Sequence, residues 1–145
     1  MSIETSNAGL ASRVQKRIPE TLDFFETAVI LTFLIPFKNI YVSKESNDTL
    51  LGAYQAQGPN KGVYETNVET LYRLVAAISP RFKDKDIQDT LNKVKRAVPT
   101  TQQTAHPDLI IANNGIFNKK TKKLMSFSED YIFLAKLAID YIENP

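Results

Sequence analysis

Residues 108–141, DLIIANNGIFNKKTKKLMSFSEDYIFLAKLAIDY, constrain this chain more than any other stretch. Leu109, Ile110 and Ile111 form a short apolar run of the kind a buried strand presents, and Ile116 with Phe117 makes a second apolar step. Between them stands Asn113-Asn114-Gly115. Asn and Gly tolerate the positive φ of a tight reversal, so Asn114-Gly115 predicts a turn and the flanks predict a hairpin. A basic tip over residues 119–123 and a return segment follow, which makes the whole a compact β element.

Other signals divide the rest of the chain. Leu22, Phe25, Val29 and Phe33 keep near-helical spacing after Pro19, a residue suited to the first turn of a helix, and Pro36 should end that helix. The ordered part is expected to begin near Leu10, itself in a helix, behind a loose leader over residues 1–9. Residues 40–42 are short and apolar, and 50–56 with 63–66 predict a hairpin around Gly58-Pro59-Asn60-Lys61-Gly62. Val68, Leu71, Tyr72, Val75 and Ile78 repeat at helical spacing behind an Asn67 cap and before Pro80. A second clear helix starts near Asp84, read as its cap, repeats Ile87, Leu91, Val94 and Val98, and stops at Pro99. Residues 100–107 are read as a polar connector.

The segment after Ser126 carries two conflicting signals. Ser126 and Glu129 have capping-box spacing and Leu134, Leu137, Ala138 and Tyr141 have helical spacing, whereas Phe133, Ala135, Leu137, Ile139 and Tyr141 alternate as a strand would. The reading adopted is a short turn of helix followed by a strand. Together these elements predict one α+β domain over residues 10–145, with helices packed around small antiparallel β-hairpins.

Composition narrows the chemistry. At 145 residues, with 43% hydrophobic and 23% charged residues, the chain is long enough for one domain with its own core. It has no cysteine, which excludes disulfides and Cys-ligated metal sites and fits a cytoplasmic setting. The longest apolar run, residues 28–37, is broken by Thr32 and Pro36 and is about half the length of a membrane span, so it is read as core and no membrane partner is expected. The N-terminus lacks the basic-then-apolar order of a secretory signal. A phosphate-cradling loop needs glycines spaced before a Lys-Ser/Thr pair, and Gly9, Gly52, Gly58, Gly62 and Gly115 do not provide it. The one histidine, His106, stands before Pro107 in the connector with no nucleophile motif beside it and is read as structural. Asp84, Asp86 and Asp89 are close in sequence, but the last two fall on the solvent side of a helix, so neither a metal nor a cofactor site is assigned and no catalytic residue is proposed.

Charge is unevenly distributed. Residues 81–123 hold ten basic residues against four aspartates, although the whole chain carries only +2. Candidate DNA-binding residues are therefore Lys93, Lys95 and Arg96 near the end of the second clear helix and Lys119, Lys120, Lys122 and Lys123 at the hairpin tip. The helix cations also suit the negative end of a helix dipole, and the tip also suits a solvated turn or a protein contact. Tyr54, Tyr64, Tyr72, Phe117 and Phe127 could stack on bases but hold positions more typical of core.

The order Asn114-Gly115, Thr121, Leu124, Phe127-Ser128, Tyr131, Phe133, Lys136, Asp140-Tyr141 resembles the phage and plasmid primase-helicase family, in the N-terminal-like domain shared with poxvirus primase/nucleoside triphosphatases. Gly62-Val63-Tyr64-Glu65 and the helix after it resemble the same family, so that the likeness is clearest over residues 50–145. The resemblance implies a non-catalytic domain between a primase part and a superfamily-three helicase part, with Glu143-Asn144-Pro145 as the entry to a linker. ATP and magnesium would then belong to the helicase domain. Its implied partners are DNA, bound weakly, the adjacent primase and helicase domains, and further copies in an oligomer. The competing reading is a protein-interaction or oligomerisation module without DNA contact. A stand-alone enzyme has no supporting constellation.

Overall fold

Four strands, β1 (Phe37–Tyr41), β2 (Thr49–Tyr54), β3 (Tyr64–Glu65) and β4 (Thr100–Thr101), form a sheet in the order β3-β2-β1-β4. The computed structural model describes residues 22–137, 139, 140 and 142, and the helix and leader expected before residue 22 lie outside them. β1 pairs antiparallel with β2, Phe37 opposite Ala53, and β2 pairs antiparallel with β3, Tyr54 opposite Tyr64. β4 joins β1 in parallel, Asn39 opposite Thr100. The connector expected over residues 100–107 thus supplies an edge strand. It also anchors the sheet: the Gln103 amide donates to the Tyr41 and Val42 carbonyls at 3.0 and 3.1 Å.

Alternation along β1 and β2 sends side chains to two different layers. Phe37, Leu51 and Ala53 join the main core with the helices α1 (Phe24–Leu34), α2 (Val68–Ile78) and α3 (Asp84–Ala97). Val75 and Leu91 are buried there, as their spacing predicts. Ile40 faces the opposite side with Tyr64 and meets Ile132 and Leu134 of the C-terminal segment. The second sheet, β5 (Leu109–Ala112), β6 (Gly115–Asn118) and β7 (Lys123–Met125), is an antiparallel meander. Ile111 and Ile116 pack there with Val63, Met125, Phe127 and Phe133. The fold is α+β, with the three described helices on one face of the larger sheet rather than distributed around hairpins.

Helix ends follow local chemistry, with one correction. Asn67 Oδ1 accepts the Thr70 N–H at 3.1 Å and caps α2. α3 begins at Asp84, but its cap position is Lys83, whose N–H donates to the Asp86 carboxylate at 3.1 Å. Asp84 is therefore the first helical residue, where a carboxylate favours the positive end of the dipole.

The expected stripe of α1 is a larger correction. Leu22 is buried ahead of the helix, but Phe25, Val29 and Phe33 are 50%, 53% and 87% exposed. Thr27, Ala28 and Leu31 face the core instead, with Thr27 Oγ1 and Ser79 Oγ sharing a 2.8 Å hydrogen bond. A helix apolar on all sides has no contrast by which periodicity selects a face. The small Thr27 and Ala28 let its backbone approach the neighbouring helices, which decides the orientation.

Residues 126–137 form neither the expected turn of helix nor a strand. Ser128 Oγ, not a Ser126 box, accepts the Asp130 N–H at 3.1 Å. The chain then runs extended across the far face of the sheet on isolated bonds: Tyr64 N–H to Phe133 O at 2.8 Å, Thr104 N–H to Ile132 O at 2.9 Å, and Leu137 N–H to Ile111 O at 3.0 Å. Each bond goes to a different element, so no continuous ladder forms.

A candidate nucleic-acid interface

The structure separates the seven predicted cations between two layers. Lys93, Lys95 and Arg96 lie toward the end of α3 in the helix layer, and the Lys93 ammonium stands 5.0 Å from the centroid of the Phe25 ring. Lys119, Lys120, Lys122 and Lys123 lie at the β6–β7 tip and are all exposed. No element or core cluster brings the two groups together.

The tip is an ordered turn. Asn118 Oδ1 accepts the N–H groups of Lys120 at 2.9 Å and Thr121 at 3.2 Å, and Asn118 O accepts the Lys122 N–H at 2.8 Å. Lys122 takes a left-handed φ of 60° to close it. The Lys119 N–H donates to Asp108 O at 2.7 Å. Among the described residues no carboxylate pairs with the four lysine side chains. Asn118 organises these charges. Its signal in sequence is an Asn just before the lysine run, where an Asx turn starts.

A third group of cations was not expected. Lys61 and Lys136 hold their ammonium groups 5.7 and 5.3 Å from the centroid of the Phe127 ring, and Lys136 Nζ also donates to Lys61 O at 3.1 Å. Gly62, with φ of 92°, makes room for this: a Cβ there would collide with the Phe127 ring. Residues this far apart in sequence converge only through the tertiary fold. The sole local sign was a glycine in the 58–62 turn.

Beside this group, the Tyr64 hydroxyl donates to Glu129 O at 2.6 Å and Lys38 Nζ donates to the same carbonyl at 3.2 Å. Burial, then the nearby Glu129 charge, raises the Tyr64 phenol above the usual tyrosine range, and the same two causes raise Tyr54. The Tyr64 phenol therefore stays a neutral donor to Glu129 O. Tyr64 is fully buried and Tyr54, Tyr72, Phe117 and Phe127 are half-buried, so these rings serve mainly as packing.

His106 uses its Nδ1 to accept the Asp108 N–H at 3.2 Å, a turn-forming role. Among the described residues no three His, Asp or Glu side chains converge to hold a metal, and no helix is long and apolar enough to cross a membrane.

No curated protein matches the chain. Residues 9–145 match the protein family described as D5 N terminal like, a span that reaches well before the region in which the sequence alone carries a resemblance. With almost its whole length matched, this chain belongs to the D5 N-terminal-like family, the N-terminal domain of phage and plasmid primase-helicases.

Proposed function

We infer that the domain is a non-catalytic part of a DNA-replication primase-helicase, which positions DNA and couples the adjacent ATPase to its neighbours. What supports this is the contrast between its two outer layers. On one side α1 turns Phe25, Val29 and Phe33 outward, a surface suited to a protein neighbour. On the other, the Asn118-ordered turn presents four exposed lysines, a surface suited to phosphates. ATP and magnesium are the business of the adjacent helicase domain in this reading, and the protein works in the cytoplasm.

Titrating labelled DNA against the chain at several salt concentrations tests the DNA half. Log K is expected to fall by roughly 0.7 to 0.9 per phosphate contact for each unit of log salt. Replacing Lys119, Lys120, Lys122 and Lys123 together by Gln should flatten that slope. Indistinguishable binding by the two proteins would reduce the tip to a solvated turn.

The second reading, a protein-interaction or oligomerisation module without DNA contact, is favoured by the outward face of α1 alone. It takes the lead if the chain fails to bind DNA at low salt.

A further inference from the structure

Residues 59–65, 113 and 134–136 are far apart in the chain but meet at one groove. Its volume is about 470 Å³, and Pro59, Asn60, Val63, Asn113, Leu134 and Lys136 line it. Lys61 is tied to the lining residue Lys136, whose ammonium donates to Lys61 O at 3.1 Å, and both ammonium groups stand near the Phe127 ring. Two ammonium groups around one ring repel each other, and among the described residues neither meets a carboxylate. Glu65 also lines the groove; its carboxylate accepts the Asn67 N–H at 3.1 Å and keeps its negative charge, which favours the lysines as the seat of an anion. Val63 and Leu134 give apolar surface. The side-chain amides of Asn60 and Asn113 make no hydrogen bond within the described residues and can serve as both donors and acceptors.

We propose that this groove binds one nucleotide unit of a single DNA strand, its phosphate held by the Lys136 ammonium with Lys61 close by, and its unpaired base in the cleft lined by Val63, Leu134, Asn60 and Asn113. Charge complementarity supplies the anion, and the Asn60 and Asn113 amides can meet the donors and acceptors on a base edge. A paired base cannot enter, so the groove prefers single strands. The lysine tip has no such preference, because phosphates are common to both DNA forms. This inference rests on the DNA-positioning reading but uses different residues.

The test measures binding of a labelled oligo-dT and a labelled duplex of equal length to the wild-type chain, the Lys61→Gln/Lys136→Gln variant and the quadruple tip variant. Unlabelled thymidine monophosphate serves as competitor. Wild type should bind the single strand more tightly than the duplex. The groove variant should lose that preference and shed roughly 1 to 1.5 from the single-strand salt slope. The tip variant should weaken both DNA forms and keep the preference. Competition by the monophosphate at concentrations that leave duplex binding unchanged would identify a free nucleotide as an occupant of the same site, which the proposal accommodates. Amide shifts in NMR spectra of wild type with oligo-dT should centre on Asn60, Gly62, Asn113 and Lys136, a readout independent of how well the variants fold. Shifts centred elsewhere, or equal affinity of wild type for the two DNA forms, would overturn the groove. If the preference persists while the tip variant binds as wild type does, the tip fails and the groove stands. If no DNA binds at low salt, both fail.

Discussion

The two faces of the β3-β2-β1-β4 sheet are covered in different ways. On one, α2 and α3 lay periodic apolar stripes against Phe37, Leu51 and Ala53, and each helix satisfies its own backbone. On the other, the extended run through Ile132 and Leu134 crosses Ile40 and Tyr64 with its backbone bonds shared among β3, the Thr104 loop and β5. Helical cover keeps its backbone bonds local, so its stability rests on the packing of the buried stripe. Irregular cover depends on a few specific anchors. The groove and the bracketed Phe127 lie on the irregular side, where side chains from distant parts of the sequence can converge.

Truncation in the helix layer should give the largest losses. Leu91→Ala and Leu31→Ala are each expected to cost on the order of 2–4 kcal/mol, since both side chains are buried and the cavity left behind cannot collapse fully. Chemical denaturation of the purified variants measures this. Val75→Ala removes less volume and should fall at or just below the lower end of that range. Changes under about 1 kcal/mol at all three sites would mean that the helix layer is loosely packed, and the contrast between the faces would lose its basis.

Next comes an anchor of the irregular side. Gly62→Ala is expected to cost on the order of 2–3 kcal/mol, because the new Cβ meets the Phe127 ring and φ is left-handed. A double variant with Phe127→Ala should recover the steric part but not the backbone part. Full additivity of the two losses would show that Phe127 does not pack on Gly62.

These two faces also differ in how much of them was legible in sequence. α2 and α3 were readable almost to the residue, because Leu71, Val75, Leu91 and Val94 contrast with polar neighbours and Pro80 and Pro99 mark the stops. The β5–β6 hairpin was readable from the Asn-Asn-Gly run, although its turn is Asn113-Asn114 rather than Asn114-Gly115 and Gly115 already pairs with Ala112 as the first residue of β6. α1 was located but its buried face was not, since FFETAVILTFL offers almost no polar contrast. The run after Ser126 is not legible in sequence because its conformation is set by Tyr64, Thr104 and Ile111, none of which is near it in sequence. Of the candidate site, the lysine tip was visible as a charge run. The Lys61–Phe127–Lys136 arrangement was not, because only tertiary contact creates it.

A smaller effect probes the hydrogen bond that fastens the irregular segment to the sheet. Tyr64→Phe removes the donor to Glu129 O and should cost about 1 kcal/mol at neutral pH. The same phenol gives the wild type an alkaline signature. Its pKa is raised in the folded protein, so its contribution is fully present below the unfolded tyrosine value of about 10. Above that pH the unfolded chain releases a proton that the native state keeps, and stability falls as pH rises. Melting curves between neutral pH and strongly alkaline pH should therefore decline less steeply for Tyr64→Phe than for wild type. Equal decline would assign the alkaline loss to other groups.

The smallest stability effect is expected two residues from one of the largest. Phe33 follows Leu31 on α1, yet it is 87% exposed where Leu31 is 1% exposed. Phe33→Ser therefore removes little packing within the described fold, and its change in unfolding free energy should stay within about 0.5 kcal/mol. Its effect should appear in association instead. An exposed apolar ring on the same helix as the exposed Phe25, Val29 and Leu34 drives contact with any complementary surface. Sedimentation across a concentration series should show wild type associating more strongly than Phe33→Ser, while Leu31→Ala loses stability without that selective change. If Phe33→Ser instead unfolds the chain as readily as Leu31→Ala does, the outward face of α1 is part of the domain's own core, and the protein-facing surface must be sought elsewhere.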